Sequence, residues 1–207
     1  MTDWTVELPG RYTGCSFENF DPAASPAAAA ALSAARRFVE DQLSALVLVG
    51  RPGAGKSHLA AAICAAEWER ARDVYLGRKA RVEGLPPDEQ VWPALPTIPL
   101  WVNVPDLISR LRGGDPEVRS EARAAGTHRG LVVLDDLGRE NVTEWTGEVL
   151  YVLVNRRYED FRRTVVTSNL TIAELEANGY GPAISRLAED GLLVEMASAT
   201  DYRTRRP

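Results

Sequence analysis

The chain of 207 residues is poor in several features, and each shortage excludes a class of protein. Its two cysteines, Cys15 and Cys64, are too few and too isolated to form a disulfide framework. No run of 18 or more apolar residues is present, so the sequence predicts no membrane-spanning helix and no membrane partner. The first residues lack a basic stretch followed by an apolar one, so no secretory signal is predicted. Together these features predict a cytoplasmic location.

Lysine is scarce as well, because only Lys56 and Lys79 accompany the many arginines. The formal net charge is −5, and this mild acidity disfavours binding of nucleic acid by the surface as a whole. A local basic stripe remains compatible with that charge. The position of Lys56 is informative, since it falls inside the most specific motif of the chain.

Residues 50–57 form a complete G-x-x-x-x-G-K-S signature. The apolar run 45–49 precedes it as a predicted buried strand, and Leu59, Ile63 and Ala66 follow it at helical spacing. A glycine loop between a strand and a helix N-terminus presents backbone N–H groups to phosphate, with Lys56 on the β- and γ-phosphates and Ser57 on Mg²⁺. The alternative is a chance glycine turn. The residues expected to bind the nucleotide are Gly50, Arg51, Pro52, Gly53, Ala54, Gly55, Lys56, Ser57 and His58.

A second apolar run, 131–134, ends in two carboxylates, Asp135 and Asp136. Beside a phosphate loop, Asp135 is expected to hold Mg²⁺, and Asp136 to orient the attacking water or act as its base. The alternative is a pair of solvated acids that open a turn.

Two further polar residues are candidates for catalysis. Asn169 follows a predicted strand, 164–167, and its amide suits a hydrogen bond to the γ-phosphate or the nucleophilic water. An asparagine after a strand is also common turn chemistry. Arg186 lies near the C-terminus, where it is either an arginine finger for a neighbour's nucleotide or a surface arginine of a helix.

The alternation of strands and helices predicts right-handed crossovers and a three-layer α/β fold around a central parallel sheet. Residues 1–24 are predicted to be irregular and residues 25–207 to form the core, whose first helix has Ser25 as its cap and Pro26 at its first position. The helix after the glycine loop is predicted to end near Arg72. Prolines, glycines and charges cluster in 73–97, which predicts an excursion from the core rather than a helix.

Several segments occur together in an order that matches a known group. Besides the phosphate loop, they are Phe17-Glu18-Asn19-Phe20, Leu134-Asp135-Asp136-Leu137-Gly138, Thr143-Glu144-Trp145, Asn155-Arg156-Arg157-Tyr158, Thr167-Ser168-Asn169-Leu170, Ser185-Arg186-Leu187 and Asp201-Tyr202-Arg203. With them the chain resembles the AAA+ ATPases of the DnaC/IstB group, which includes helicase loaders and the ATPase partners of certain transposases. The combination covers most of the chain and is far more specific than any single segment.

The resemblance implies a P-loop core without a C-terminal lid domain, and ATP with Mg²⁺ as its ligands. It implies that Lys56 and Ser57 are the Walker A pair and that Asp135 and Asp136 are the Walker B acids. Asn169 then corresponds to sensor 1, and Arg186 to a finger acting in trans within a homo-oligomer. Residues 17–20 would lie near the adenine, and Arg203 would be a further phosphate sensor.

Departures from the wider pattern refine these expectations. Most AAA+ proteins have glutamate where this chain, like its group, has Asp136, and the shorter carboxylate predicts slow, switch-like hydrolysis. Only about 16 residues precede the first matching segment, fewer than the partner-binding segment of helicase loaders and transposition ATPases, so the resemblance implies the ATPase core rather than helicase loading. The implied partners are a replicative helicase or a transposase. Binding of single-stranded DNA is a further hypothesis, because the resemblance implies that residues 110–129 correspond to the region that contacts single-stranded DNA in this group. The arginines of this region, which stand among acidic residues, are Arg110, Arg112, Arg119, Arg123 and Arg129.

The sequence is therefore compatible with three functions. The first is an AAA+ ATPase that assembles on ATP and acts on a DNA-bound partner in replication or transposition. The second is a P-loop small-molecule kinase, which needs an acceptor pocket and an arginine-bearing lid. The third is a nucleotide-gated adaptor with little turnover.

Overall fold

In the computed structural model, the described residues are 6–114, 116–140 and 143–196. Five parallel strands form one sheet in the order β2-β3-β4-β1-β5. They are β1 (Ala45–Val49), β2 (Leu100–Asn103), β3 (Val132–Leu137), β4 (Thr164–Ser168) and β5 (Gly191–Glu195). The strand β4 therefore lies between the strand that precedes the glycine loop and the strand that carries the acid pair.

Seven α-helices connect and cover these strands within the described residues. They are α1 (Pro26–Glu40), α2 (Lys56–Glu83), α3 (Val104–Arg112), α4 (Pro116–Thr127), α5 (Glu144–Glu159), α6 (Ile172–Leu175) and α7 (Gly181–Glu189). A π-helical turn, Glu176–Tyr180, joins α6 to α7. The predicted start of α1 is present, because the Ser25 hydroxyl accepts a hydrogen bond from the Ala28 N–H at 3.0 Å.

Both faces of the sheet are buried, which explains why its strands are continuous apolar runs. On one face, Leu46 and Val165 pack with Phe38 of α1 and Ile63 of α2. On the other face, alternate strand residues such as Val47 and Val166 pack with α3, α5 and α7. This arrangement confirms the predicted three-layer α/β fold with a central parallel sheet. No lid domain follows the sheet in the described part of the chain, which ends at Met196.

The helix α2 is longer than predicted. It continues to Glu83, although its last buried residue is Trp68. Residues 69–83 contain many helix-forming residues, arginine above all, and Lys79 pairs with Glu83 one turn later at 3.6 Å. The prediction that 73–97 is not helical is therefore wrong for 73–83, where local helix propensity outweighs the lack of a core contact. Within residues 84–99, the longest regular element is the 3₁₀ turn Pro87–Glu89.

No helix among the described residues has both the length and the apolar character needed to cross a bilayer.

Candidate nucleotide site

The glycine loop connects the end of β1 to the first residue of α2, as the motif predicts. Gly55 has φ +93°, and a Cβ at this position would lie 2.7 Å from Phe20 Cε2. Gly50 has φ +141°, and a Cβ there would lie 2.3 Å from the Met196 carbonyl oxygen. Both positions therefore require glycine for conformation and for space. In the tip between them, Arg51 and Pro52 are exposed.

Lys56 begins α2 with its side chain inside the loop rather than in solvent. Its side chain is buried, with 5% of the residue exposed. The ammonium donates to the carbonyls of Gly50 at 2.7 Å and Arg51 at 2.9 Å, and to Asn169 Oδ1 at 2.9 Å. The ammonium of Lys56 is thus held in place by the carbonyls of the loop and by Asn169, which follows β4.

Ser57, in the first turn of α2, is in direct contact with Asp135 of β3. The Ser57 hydroxyl donates to Asp135 Oδ1 at 2.8 Å, and the Thr167 hydroxyl donates to the same oxygen at 2.7 Å. Asp135 is buried, which raises the pKa of its carboxyl above the ordinary value, while the hydrogen bonds from Thr167 and Ser57 oppose this effect. Thr167 was not predicted as a site residue, although it occupies the β4 position two residues before Asn169.

Asp136 lies beside Asp135, but its carboxylate has different partners. Its backbone has φ +62°, a left-handed conformation that L residues rarely adopt, and its N–H donates to the Thr167 hydroxyl at 3.0 Å. Its Oδ1 accepts from Asn169 Nδ2 at 3.1 Å, and its Oδ2 lies 3.5 Å from Arg139 Nη1. Arg139 is a second residue that the sequence reasoning missed, and its spacing of three after Asp136 in a turn was the available signal.

The strand order explains why these side chains meet. Val49 of β1 is paired with Ser168 of β4, and Ser168 is also paired with Leu137 of β3. Because the three strands are parallel, their carboxyl ends lie at one edge of the sheet, where ligands of such folds bind. Asn169, directly after the middle strand, is consequently able to contact Lys56 on one side and Asp136 on the other.

The donor set suits Mg²⁺ in the way that a nucleotide site requires. Mg²⁺ usually takes one or two carboxylates together with phosphate oxygens and waters, rather than a full set of protein ligands. The Ser57 hydroxyl oxygen and Asp135 Oδ1 are hard oxygen donors 2.8 Å apart, which fits such a site. Among the described residues, no group of three or more His, Cys, Asp or Glu side chains is placed to hold a metal ion.

The N-terminal segment covers the first turn of α2. Phe20 is buried, and its ring packs edge-on against His58, with ring centroids 5.5 Å apart. His58 Nε2 lies 3.0 Å from the Ser16 carbonyl oxygen, and the Arg36 guanidinium lies over the Phe17 ring at 5.1 Å. Ser16 and Phe20 thus lie against His58, directly after the glycine loop. That residues 17–20 lie near the adenine stays a prediction.

Arg186 lies apart from this group of residues. Its Nε donates to Asn155 Oδ1 of α5 at 3.2 Å, and its guanidinium lies 5.2 Å from the centre of the Tyr158 ring. It lines a small cavity with Ala45 and Thr164, the first residues of β1 and β4. Because the glycine loop follows the other end of β1, Arg186 does not contact the loop of its own chain. The predicted phosphate sensor Arg203 lies outside the described residues.

Known proteins resemble this chain in sequence. An insertion sequence ATP-binding protein of Sinorhizobium fredii is 30% identical over 149 residues, which cover 72% of this chain and 41% of that protein. The replicative helicase loader DnaC of Escherichia coli K12 is 24% identical over 177 residues, which cover 79% of this chain and 59% of DnaC. The chain therefore spans about half the length of these curated relatives. No protein-family model matches the chain.

Solved structures resemble it in fold. A crystal structure of the DnaC helicase loader superposes with a TM-score of 0.69 at 22% identity, and covers 91% of this chain and 99% of that one. A crystal structure of DnaI gives a TM-score of 0.64 at 20% identity, covering 93% and 96% of the two chains. The similarity in fold includes the sheet and its surrounding helices, and together with the relatives it confirms the resemblance that the motifs indicated.

Proposed function

We propose, from the premise that the chain is a relative of the AAA+ proteins of the DnaC/IstB group, that it binds and hydrolyses ATP as a switch acting on a DNA-bound partner. The fold and the ATP-binding relative support the first half of this proposal. The relatives named as an insertion sequence protein and a helicase loader support the second half. The corresponding partner of this chain is a transposase or a replicative helicase.

The observation that carries the ATPase proposal is the double contact made by Asn169. Its carbonyl oxygen accepts from Lys56 at 2.9 Å, and its amide nitrogen donates to Asp136 at 3.1 Å. One side chain thereby sets the separation of the cation that neutralises phosphate and the carboxylate that faces the attacking water. A P-loop protein that only bound nucleotide would not need the second contact.

Each residue of the site then has a distinct task. Lys56 and the loop N–H groups bind the β- and γ-phosphates, and Asn169 contacts the γ-phosphate or the water. Ser57 and Asp135 would hold Mg²⁺, which neutralises charge on the phosphates. Asp136 accepts the proton of the attacking water or orients it. Since Asp136 is one methylene shorter than the glutamate of most AAA+ proteins, we expect slow turnover.

Steady-state release of phosphate by the full chain tests this proposal. Asp136→Asn preserves the size of the side chain and an oxygen that accepts from Asn169, yet removes the base. We expect turnover to fall by about 100-fold or more while the affinity for Mg-ATP is retained. Asp88→Asn, in the exposed turn Pro87–Glu89, is the matched control and should leave turnover unchanged. Equal turnover of the wild type and Asp136→Asn would contradict the assignment.

We also propose that Arg186 acts in trans, which a mixing experiment tests. Arg186→Ala has an intact phosphate loop without a finger, whereas Lys56→Ala has a finger without a working loop. Each variant alone should lose most turnover, and an equimolar mixture should regain part of it, because a finger contributes about 10³-fold or more to phosphoryl transfer. A mixture that stays inactive, with wild-type turnover per chain independent of protein concentration, would contradict a finger in trans.

The two remaining functions are separated from the first by the same assays. A nucleotide-gated adaptor binds Mg-ATP but releases phosphate no faster than Asp136→Asn. A small-molecule kinase consumes ATP only when an acceptor is added. Affinity capture from a host extract with and without ATP, followed by mass spectrometry, tests for the helicase or transposase partner.

Single-stranded DNA is a proposed ligand of α3, α4 and the residues that follow α4. Arg110 is paired with Glu121 at 2.9 Å, which reduces its contribution, while Arg119, Arg123 and Arg129 are exposed. We expect weak binding whose affinity falls steeply with added salt. A salt-independent affinity would argue against contacts to phosphate.

A further inference from the structure

A buried tyrosine next to α7 is hydrogen-bonded to the turn that follows the acid pair. Tyr180 is fully buried, and its hydroxyl donates to the carboxylate of Glu140. Glu140 follows Asp136 by four residues, and Tyr180 directly precedes the first residue of α7. The contact therefore joins two elements that are 40 residues apart in the chain.

Glu140 also determines the shape of the turn itself. Both of its carboxylate oxygens accept from the Gly138 N–H, at 3.2 and 3.1 Å. Gly138 has φ +85°, and a Cβ at this position would lie 2.6 Å from Leu170 Cδ1, so the turn requires glycine here. Only three residues separate Glu140 from Asp136, whose backbone is itself left-handed, so a displacement of Glu140 would reach Asp136 through a short segment.

On the other side, Tyr180 is part of a rigid unit that carries Arg186. The helix α7 buries Ala183, Ile184 and Leu187 in the core and is therefore not free to bend. Arg186 lies six residues after Tyr180, about 9 Å along the helix axis at 1.5 Å per residue. A shift of Arg186 along this axis moves the Tyr180 hydroxyl with it.

We propose that Tyr180 and Glu140 are positioning residues that couple the helix carrying Arg186 to the turn carrying Asp136. Neither residue touches the phosphate loop, so neither is a catalytic residue. When Arg186 contacts the nucleotide of a neighbouring chain, α7 shifts and displaces Glu140 through the tyrosine hydroxyl. The turn then moves Asp136 to the position in which it orients the attacking water. The inference rests on the proposed ATPase function and adds a route by which assembly controls hydrolysis.

The chemistry of the pair favours this role over simple packing. A phenylalanine would fill the same buried volume as Tyr180 without any polar atom to satisfy. The partner is moreover a carboxylate, and a charged acceptor gives a shorter and stronger hydrogen bond than a backbone carbonyl. Burial and the contact with Glu140 both raise the pKa of the Tyr180 phenol, so the hydroxyl stays a donor at neutral pH.

Removal of the hydroxyl tests the coupling with little change in volume. We expect Tyr180→Phe to lower kcat for ATP hydrolysis about tenfold, equivalent to about 1.4 kcal/mol, with the Kd for Mg-ATP unchanged. Glu140→Gln keeps one acceptor oxygen and should give a smaller loss. If the two residues act through one contact, the double variant should lose no more than Tyr180→Phe alone.

Controls separate this coupling from a loss of structure and from failure of the proposed function. Tyr75→Phe, in the part of α2 beyond the core, is the matched variant and should leave kcat unchanged. Urea unfolding establishes that each variant is folded during the assay. Losses that multiply in the double variant, or a Tyr180→Phe protein with lower stability but wild-type kcat, overturn the inference alone. A wild type that neither binds nor hydrolyses ATP overturns the proposed function, and the inference with it.

Discussion

Arg157 on α5 is a buried cation whose five N–H donors all have neutral acceptors. Only 1% of the residue is exposed. The guanidinium donates to the carbonyls of Ala125, His128 and Gly130 at 2.9 Å, to the Arg163 carbonyl at 2.6 Å and to the Thr164 hydroxyl at 2.9 Å. These acceptors belong to the end of α4 and to the segments leading into β3 and β4. One side chain thus joins the amino ends of two central strands.

We predict that Arg157→Lys destabilises the protein strongly even though it preserves the charge. Burial lowers the pKa of Arg157 to about 9, so the group is charged at neutral pH at a cost in desolvation. Lysine has three N–H donors, so at least two of the five bonds are lost. At about 1–3 kcal/mol per unsatisfied buried acceptor, the free energy of unfolding should fall by about 2–6 kcal/mol.

Urea unfolding followed by tryptophan fluorescence measures this change. Arg156→Lys, at the adjacent half-buried position, is the matched control and should change the free energy by less than about 0.5 kcal/mol. In a thermal scan, Arg157→Lys should unfold about 4–24 °C below the wild type. A loss below about 1 kcal/mol would refute the reasoning, because it would mean that the carbonyls find other donors at no cost.

Two other predictions follow from individual contacts. Gly55→Ala should lower the free energy of unfolding by about 2 kcal/mol, because the backbone of Gly55 is left-handed. Gly77→Ala should raise it by about 0.5–1 kcal/mol, because Gly77 lies inside α2 with open space around the added Cβ. Equal urea midpoints for the two variants would contradict this difference. Burial raises the pKa of the Cys64 thiol to about 12, while Cys15 is half-exposed, so at pH 8 a thiol reagent should label one cysteine in the native protein and two in urea. Rapid labelling of both in the native protein would show that Cys64 is accessible.

The sequence predicted the parts of the site that depend on short segments. The glycine loop and Asn169 each follow a strand, and the acid pair lies in the last residues of β3, so the parallel strands bring all three to one edge of the sheet. The helix α2 was harder to predict, because the charges and the glycine of 73–83 are typical of a loop. In the structure this segment is helical, and Lys79 pairs with Glu83 along it. The last buried residue of α2, Trp68, therefore does not mark the end of the helix.

Contacts between distant segments were beyond reach of the sequence. Thr167 joins the two acids only because β4 lies between β1 and β3, and no local pattern specifies that order. The pairing of Tyr180 with Glu140 depends in the same way on where the π-helical turn meets the acid-bearing turn. The burial of Arg157 also required the structure, since a helix with two adjacent arginines does not indicate which one faces inward.

Calorimetric titration with Mg-ATP is the most direct test of the central claim that Lys56, Ser57 and the two acids form one nucleotide site. The wild type should bind one Mg-ATP per chain, and Lys56→Ala should bind about 10- to 100-fold more weakly, since a hydrogen bond from a charged group contributes about 1.5–3 kcal/mol. Lys79→Ala, which removes the other lysine from the exposed end of α2, should bind as the wild type does. Unchanged affinity in Lys56→Ala, or a loss of equal size in Lys79→Ala, would contradict the account.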